Sequence, residues 1–380
     1  MNFDLTEDQK MLRDTTRSFA KKESPIERKR KMIDTELGYE KSVWEQMGEL
    51  GWLSVPFPES VGGFGGNLVD VALIVEQFAS TLVPEPYIPS VVLGGMAVLR
   101  AGNASQQKRW LEPLCEGKTS LALAYAERQS RFDVTDVATK AEKTRGGYKL
   151  SGEKVWVLNG HAADTLVVSA ATGDGLALFA VDRTAAGLTV QAVKTMDGNR
   201  AAMLKLDGVA VDGDRLLGEP GNAGAILAEV MDLGSAAACA EGVGICQAVL
   251  AMTVEYLKTR EQFGTKIGAF QALQHRAVDM FIETELCKSH SIEASIRMSD
   301  GSDETTRASA VSAAKVQLAT GGKYVVEQGI QLHGGIALTE EHDMGLYFKR
   351  MHILNTLFGD EEHHLARYAA LPSFTAGIQA

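Results

Sequence analysis

Apolar positions recur at helical spacing through most of the first 118 residues. Phe3, Leu5, Met11, Leu12 and Phe19 mark one side of a first helix. Thr6, with Gln9 three residues on, has the pattern of a capping box. Val43, Trp44, Met47, Leu50 and Trp52 give a second helical stripe. Residues 68–80 and 90–102 predict two further helices, separated by VPEPYIP, and a short one runs from Ser105 to about Cys115. The stretch VPFPESVGGFGGN, residues 55–67, is a connection whose glycines let the backbone bend or approach a ligand closely.

Near Ser120 the period changes. LALAYAE, GYKLSGEKVWVLNG, DTLVVSAAT, LALFAVD, LTVQAV and AAMLKLDGVAVD are short runs of strand character separated by Gly, Asp and Asn. They predict an antiparallel sandwich or barrel. After Gly221 the helical period returns and holds to the C-terminus. The expected class is α+β and multidomain: a helical part over 1–118, an antiparallel β-domain over 119–220 and a second helical part over 221–380.

Within that last part, Val243, Leu250, Val254 and Leu257 continue one helix, Gly264 and Gly268 interrupt it, and a second amphipathic run starts near Phe270. Arg260 ends the first helix, Gln262, Phe263 and Gly264 form the turn, and Gln271 and His275 begin the next helix. On spacing alone this is a helical hairpin with a polar corner. Chemically, a guanidinium there offers forked donors to a diphosphate, and the aromatic ring can cover a flat ring system.

Composition narrows the function. The 380-residue chain is 45% hydrophobic and 23% charged, ordinary for a globular protein, and its formal charge of −11 argues against nucleic-acid binding. The cluster Lys21, Lys22, Arg28, Lys29, Arg30 and Lys31 reads as a solvated helix face balanced by nearby acids. Cys115, Cys239, Cys246 and Cys287 form no CxxC pair, and no His/Cys cluster has metal-ligand spacing. Reduced thiols, an N-terminus unlike a signal peptide and the lack of an apolar run of about 18 residues fit a cytoplasmic protein without a membrane span.

The wording of the corner is more specific than its spacing. RxxFGxxIxxFQ, here Arg260, Phe263, Gly264, Ile267, Phe270 and Gln271, resembles the flavin-contact segment of the acyl-CoA dehydrogenase family. Residues 55–67 resemble that family's PExxGGxG segment. Residues 121–143 resemble TEPxAGSD, with Glu127 and Asp133 matching. GEKVWVLNG, residues 152–160, resembles GxKxWITN, with Trp156 and Asn159 matching. EQGIQLHGGIALTEE, residues 327–341, resembles QxxGGxG, which meets the adenine half of FAD, often that of a neighbouring subunit. The resemblance implies a small β-domain between two helical domains, the last a four-helix bundle. It also implies FAD, an acyl-CoA substrate, electron-transfer flavoprotein or a similar acceptor, and a homo- or heterotetramer. By the same resemblance the FAD contacts fall on Arg260, Gln262, Phe263, Gln271, Gln331, His333, Gly334, Gly335, Trp156 and Ala126.

The departures bear on chemistry. Ala126, Phe132 and Leu158 stand where the family has Thr, Ser and Thr. Residues 347–367 resemble RDxxxxxIxEGT, but Phe358 replaces the Glu that acts as base in many members. The alternative family position for that base falls on Gly234. Glu241 lies two helical turns beyond Gly234, about 10 Å along the axis, in an otherwise small and apolar run. It reads either as the base or as a carboxylate paired with a basic neighbour. The absent bases and LFGDxxHHLAR resemble the small-subunit type of bacterial acyl-CoA dehydrogenases, among them pimeloyl-CoA dehydrogenase small subunits and the paired subunits of steroid side-chain degradation. The expected activity is FAD-dependent α,β-dehydrogenation of a bulky or polar acyl-CoA. The alternatives are a flavin-binding partner subunit without proton abstraction and, more distantly, a flavin monooxygenase on the same fold.

Overall fold

A computed structural model describes residues 4–372, so Phe3 lies outside the described residues. The chain forms two compact units. One is helical and comprises the residues up to Arg30, Leu68–Val83 and the chain from Ser235 onward; the other holds Lys31–Asn67 and Pro84–Gly234.

The helical unit contains α1 (Glu7–Lys22), most of α2 (Ile26–Ile33) and α4 (Leu68–Ala79). It also contains most of α7 (Ala223–Thr259), α8 (Gln271–Arg297), α9 (Glu304–Gln317), α10 (Lys323–His333), α11 (Met344–Thr356) and α12 (Glu361–Ala369). The predicted capping box starts α1: Gln9 N–H donates to Thr6 Oγ1 at 3.2 Å, and Thr6 N–H donates to Gln9 Oε1 at 3.1 Å. Thr16, Phe19 and Ala20 face inward. Met11 does not, at 64% exposed, because eight residues of helix rotate it roughly 80° around the axis from the face that Phe19 buries.

The basic cluster also departs from its expected solvation. Lys21, Lys22 and Lys31 are exposed, but Arg28 and Lys29 are buried. Arg28 donates to Ser24 Oγ at 3.1 Å, and Arg30 bridges to Asp343 at 2.8 Å.

A turn of π-helix, Leu318–Gly322, joins α9 to α10. α7 is long and apolar enough to cross a membrane by length and composition alone, a property the sequence pattern did not suggest. Yet 61% of its most apolar stretch is buried inside the protein, the behaviour of a core helix. Small residues permit that burial. A Cβ on Gly244 would stand 2.2 Å from the Glu76 carbonyl oxygen of α4, and one on Gly242 2.2 Å from Leu318 Cδ1.

The second unit adds α3 (Lys41–Glu49), α5 (Met96–Ala101), α6 (Ala104–Cys115) and a π-helical segment, Ile88–Gly95, to one sheet. Trp44, Met47 and Trp52 are buried, while Leu50 is 49% exposed, beyond the end of α3. The strands are β1 (Leu121–Ala124), β2 (Lys140–Lys143), β3 (Gly147–Leu158), β4 (Thr165–Thr172), β5 (Gly175–Asp182), β6 (Leu188–Lys194), β7 (Arg200–Asp212) and β8 (Leu216–Leu217). Their order is β6-β7-β3-β2-β4-β5-β8, with β1 paired to β4 off that path.

The sheet is antiparallel except that β1 and β2 each pair parallel with β4, a detail the strand pattern did not predict. β3 begins with the alternation of a half-buried strand: Tyr148 and Leu150 in, Lys149 and Ser151 out. β4 and β5 are buried on both faces, so they read as continuous apolar runs. Phe179 of β5 meets Tyr148 of β3 edge-on at 5.0 Å in the middle of this core.

Candidate functional site

In the sheet unit, the pairing of β3 with β7 slips between Lys154 and Val157. That bulge reverses the inside–outside alternation locally. Val155 and Val157 are buried, while Trp156 takes a left-handed φ of 53° and stands 57% exposed. An exposed Trp at a bulge is a flat apolar wall held by backbone geometry. Val155 N–H donates to Ala126 O at 2.9 Å, so the Ala126 and Trp156 segments lie side by side. Asn159, also left-handed at 58°, is buried and donates to Ser90 and Ser120 hydroxyls at 3.2 and 3.3 Å.

Beneath this wall is an ion pair that sequence reasoning missed. Lys154 is fully buried, and its Nζ donates to Glu127 Oε1 at 2.7 Å, Ser169 Oγ at 2.8 Å and Tyr125 O at 3.2 Å. Glu127 also accepts from Ala138 N–H, Thr139 N–H and Gln129 Nε2. Burial by itself would raise the Glu127 carboxyl; the hydrogen bonds from Lys154, Gln129 and Thr139 override it and hold it at about 2. The pair ties the long connection between β1 and β2 to the strand that carries Trp156. Lys154 sits two residues before Trp156, directly after Gly152 and Glu153, so nothing in its local pattern marked it as buried.

In the helical unit, α7 stops at Thr259, and Arg260 opens a short hairpin of β9 (Glu261–Gln262) and β10 (Thr265–Lys266). Arg260, Gln262 and Gln271 are all exposed. Phe263, at the tip, has φ 55° and is 89% exposed, with its ring edge-on to Phe270 at 6.1 Å. A large aromatic held outward in a strained turn is poised for a partner surface rather than for this chain's core.

The second predicted segment reaches the same corner. His333, at the end of α10, stacks on Tyr256 of α7 at 4.5 Å, one turn before Arg260. Arg276 of α8 donates to Gln328 of α10 at 3.1 Å. Gln331, Gly334 and Gly335 are exposed. Gly334 adopts φ 65°, ψ −145°, a conformation essentially confined to glycine, and no heavy atom lies within 4 Å of where a Cβ would be on either glycine. His333 differs from expectation. It is buried, with Nδ1 2.8 Å from Gly329 O, so it holds the helix end instead of presenting a polar edge to solvent.

The places for a base are now visible. Gly234 is buried in α7. Glu241 is engaged at both oxygens by Arg350 of α11: Nε donates to Oε1 at 2.5 Å and Nη2 to Oε2 at 2.8 Å. A carboxylate gripped by a guanidinium fork has its lone pairs committed and is a poor proton acceptor. At rest Glu241 is therefore the paired carboxylate of the two readings made from sequence. Arg350, missed from sequence, was within reach of the argument as a cation in the C-terminal motif. Phe358 is buried with φ 61°, and Asp360 caps α12 by accepting from His363 N–H at 2.9 Å. Among the described residues, no group of three or more His, Cys, Asp or Glu is arranged to hold a metal ion.

Family models match the chain in three consecutive pieces. Residues 6–118 match the acyl-CoA dehydrogenase N-terminal domain, 122–209 the middle domain and 223–370 the C-terminal domain. The chain belongs to the acyl-CoA dehydrogenase family. It is 32% identical over 348 residues to the acyl-CoA dehydrogenase IpdE2 of Mycobacterium tuberculosis, covering 91% of both chains. Among solved structures, a variant of the Tcur3481-Tcur3483 steroid ACAD aligns with a TM-score of 0.88 at 30% identity, over 98% of this chain and 99% of that one. The ChsE4-ChsE5 complex from Mycobacterium tuberculosis aligns with a TM-score of 0.88 at 27% identity, over 97% of each chain.

The chain is thus an FAD-dependent acyl-CoA dehydrogenase, and the arrangement fits that cofactor. In the helical unit, an exposed Arg–Phe corner and glycines with open space beside them suit a dinucleotide's phosphates; in the sheet unit, taken by itself, an outward Trp at a bulge offers a face to a flat ring. Ala126 and Leu158 carry no hydroxyl, so their side chains offer no hydrogen bond to a cofactor.

Proposed function

We propose that this acyl-CoA dehydrogenase acts on a bulky or polar acyl-CoA thioester, as one subunit of a homo- or heterotetramer that passes electrons to electron-transfer flavoprotein or a similar acceptor in the cytoplasm. We further propose that it works as three parts, 1–118, 119–220 and 221–380. The observation that carries the reading is the exposed corner where Arg260–Gln271 and Gln331–Gly335 meet, held by the His333–Tyr256 stack. The similarity to a steroid ACAD supports the bulky acyl group, and that to the ChsE4-ChsE5 complex supports a heteromer.

In this reading Arg260 binds the diphosphate, Phe263, Gln262 and Gln271 flank it, and Gln331, Gly334 and Gly335 take the adenine half, with His333 fixing their helix end. Trp156 and the backbone at Ala126 meet the flavin ring. FAD, when bound, supplies the acceptor for the hydride leaving the β carbon. What remains for the protein is to remove the α proton, and that step has two candidates. Glu241 performs it if Arg350 gives way. The bidentate Arg350 contact favours the second reading, in which a partner subunit supplies the base and this chain supplies flavin contacts.

The test is flavin content and anaerobic flavin reduction by a panel of acyl-CoA esters, for the chain alone and with a co-purified partner. R260A is expected to weaken FAD retention about tenfold or more, since a charged hydrogen bond contributes about 1.5–3 kcal/mol. Unchanged FAD affinity in R260A removes Arg260 from the site. E241Q is expected to keep its flavin. A drop in the reduction rate of at least about 100-fold makes Glu241 the base, and a parental rate assigns proton removal elsewhere.

A further inference from the structure

The segment LFGDEEHH, which the flavin site leaves unexplained, is braced by a buried cation. Lys315 of α9 is 1% exposed, and its Nζ donates to Leu354 O at 2.6 Å and Leu357 O at 2.7 Å. Leu354 lies in the last turn of α11 and Leu357 is its C-cap, where a helix end leaves acceptors without intrahelical donors. A cation there satisfies them and complements the helix dipole.

The chain then turns sharply. Phe358 sits in the left-handed region at φ 61°, an outlier for a bulky side chain that persists only where its surroundings determine it. Gly359 follows at φ 124°, and a Cβ there would stand 2.5 Å from the Nε2 of His364, itself 1% exposed. His364 Nδ1 lies 3.4 Å from Ser312 Oγ of α9, three residues before Lys315. Burial first, then the neighbouring Lys315, pushes His364 down to about 3, so it packs as a neutral ring. Gly359 permits the turn and makes room for the imidazole, Asp360 caps α12, and His364 forms the buried wall.

We propose that Lys315 is a positioning residue for the proton-removal end of the site: by binding the Leu354 and Leu357 carbonyls it holds the Phe358–Gly359 turn in the single conformation that buries the Phe358 ring. The proposal rests on the acyl-CoA dehydrogenase reading above, which places this turn where many members carry their base.

The experiment compares the holoenzyme with K315M, which keeps length and removes both donors, and with K315Q, a milder change retaining an amide donor. Amide hydrogen exchange over residues 354–364 reads the turn, and steady-state turnover of the best acyl-CoA of the panel with a dye acceptor separates kcat from KM. K315M is expected to lose about 10- to 100-fold in kcat, with KM and flavin content near parental and faster exchange confined to this segment; K315Q falls between. Parental rate and exchange in K315M overturn the proposal. So does a uniform rise in exchange with flavin loss in both variants, which makes Lys315 a general stability residue. If no acyl-CoA reduces the parent's flavin, it is the functional reading that fails. If the parent is reduced and K315M matches it, only the role of Lys315 fails.

Discussion

Glu127 shows how one residue carries two levels of the argument. From sequence it is a match to a family segment; in the structure it is the buried partner of Lys154 and accepts hydrogen bonds from Lys154, Gln129, Ala138 and Thr139 around the Trp156 strand. Its carboxyl is held at about 2, below its ordinary 4.5. A depressed carboxylate contributes stability that is fully present above about pH 4.5 and is lost as pH falls toward 2. The share is on the order of 3 kcal/mol by the shift alone. Removing only one partner strands the other charge, so the informative variant is E127Q/K154M. Urea unfolding between pH 6 and 3 is expected to show a shallower acid decline in the double variant than in the parent. Equal slopes in the two proteins would mean that the Glu127 pairing does not set the acid limb. Arg260, Trp156 and Gly334 were singled out from sequence through the family wording around them, and the structure places them at a helix end, a bulge and a glycine of positive φ. Arg350 and Lys315 were not singled out, because their partners lie 109 and about 40 residues away and only the fold brings them near.

At the scale of elements, local signals served well where the cause is local. Thr6 and Gln9 start α1, the corner after Thr259 ends α7, and the alternation in β3 marks its faces, each through neighbours along the chain. The parallel pairings of β1 and β2 with β4 were not readable, because strand partners are chosen by long-range closure, not by pattern. Nor was the bulge at Trp156, since a slip of register leaves the apolar count unchanged. The small residues of α7 were visible, but their use was not: Gly244 lets α4 approach until a methyl group would meet the Glu76 carbonyl at 2.2 Å. That neighbour is backbone and cannot swing aside. G244A is therefore expected to destabilise by about 1–3 kcal/mol, as overpacking does, despite alanine's better helix propensity. A thermal midpoint at or above the parent's would show that α4 and α7 separate without strain.

At the scale of the molecule, the order of helices, strands and helices was the most legible feature, since each period persists over many residues and outweighs local exceptions. What the order conceals is assembly. The first turns of α8 leave Val278, Phe281 and Ile282 between 48% and 54% exposed, on a helix whose Met280 and Thr284 are fully packed. Such a stripe, like the outward Phe263 and Leu338 (89% and 77% exposed), is costly in water, and in the tetramer proposed above a covering subunit would relieve it. Each large apolar side chain so covered contributes about 1.5–3 kcal/mol, and a carboxylate placed among them reverses the sign. F281E is expected to reduce the mass measured by light scattering from that of the assembly to that of a smaller species. If the Gln331–Gly335 segment serves the flavin of a neighbouring subunit, the same variant also loses FAD on gel filtration, although Phe281 lies outside the proposed FAD contacts. Loss of mass with full flavin retention would confine each FAD to one chain, and an unchanged mass would mean that α8 is not the covered face.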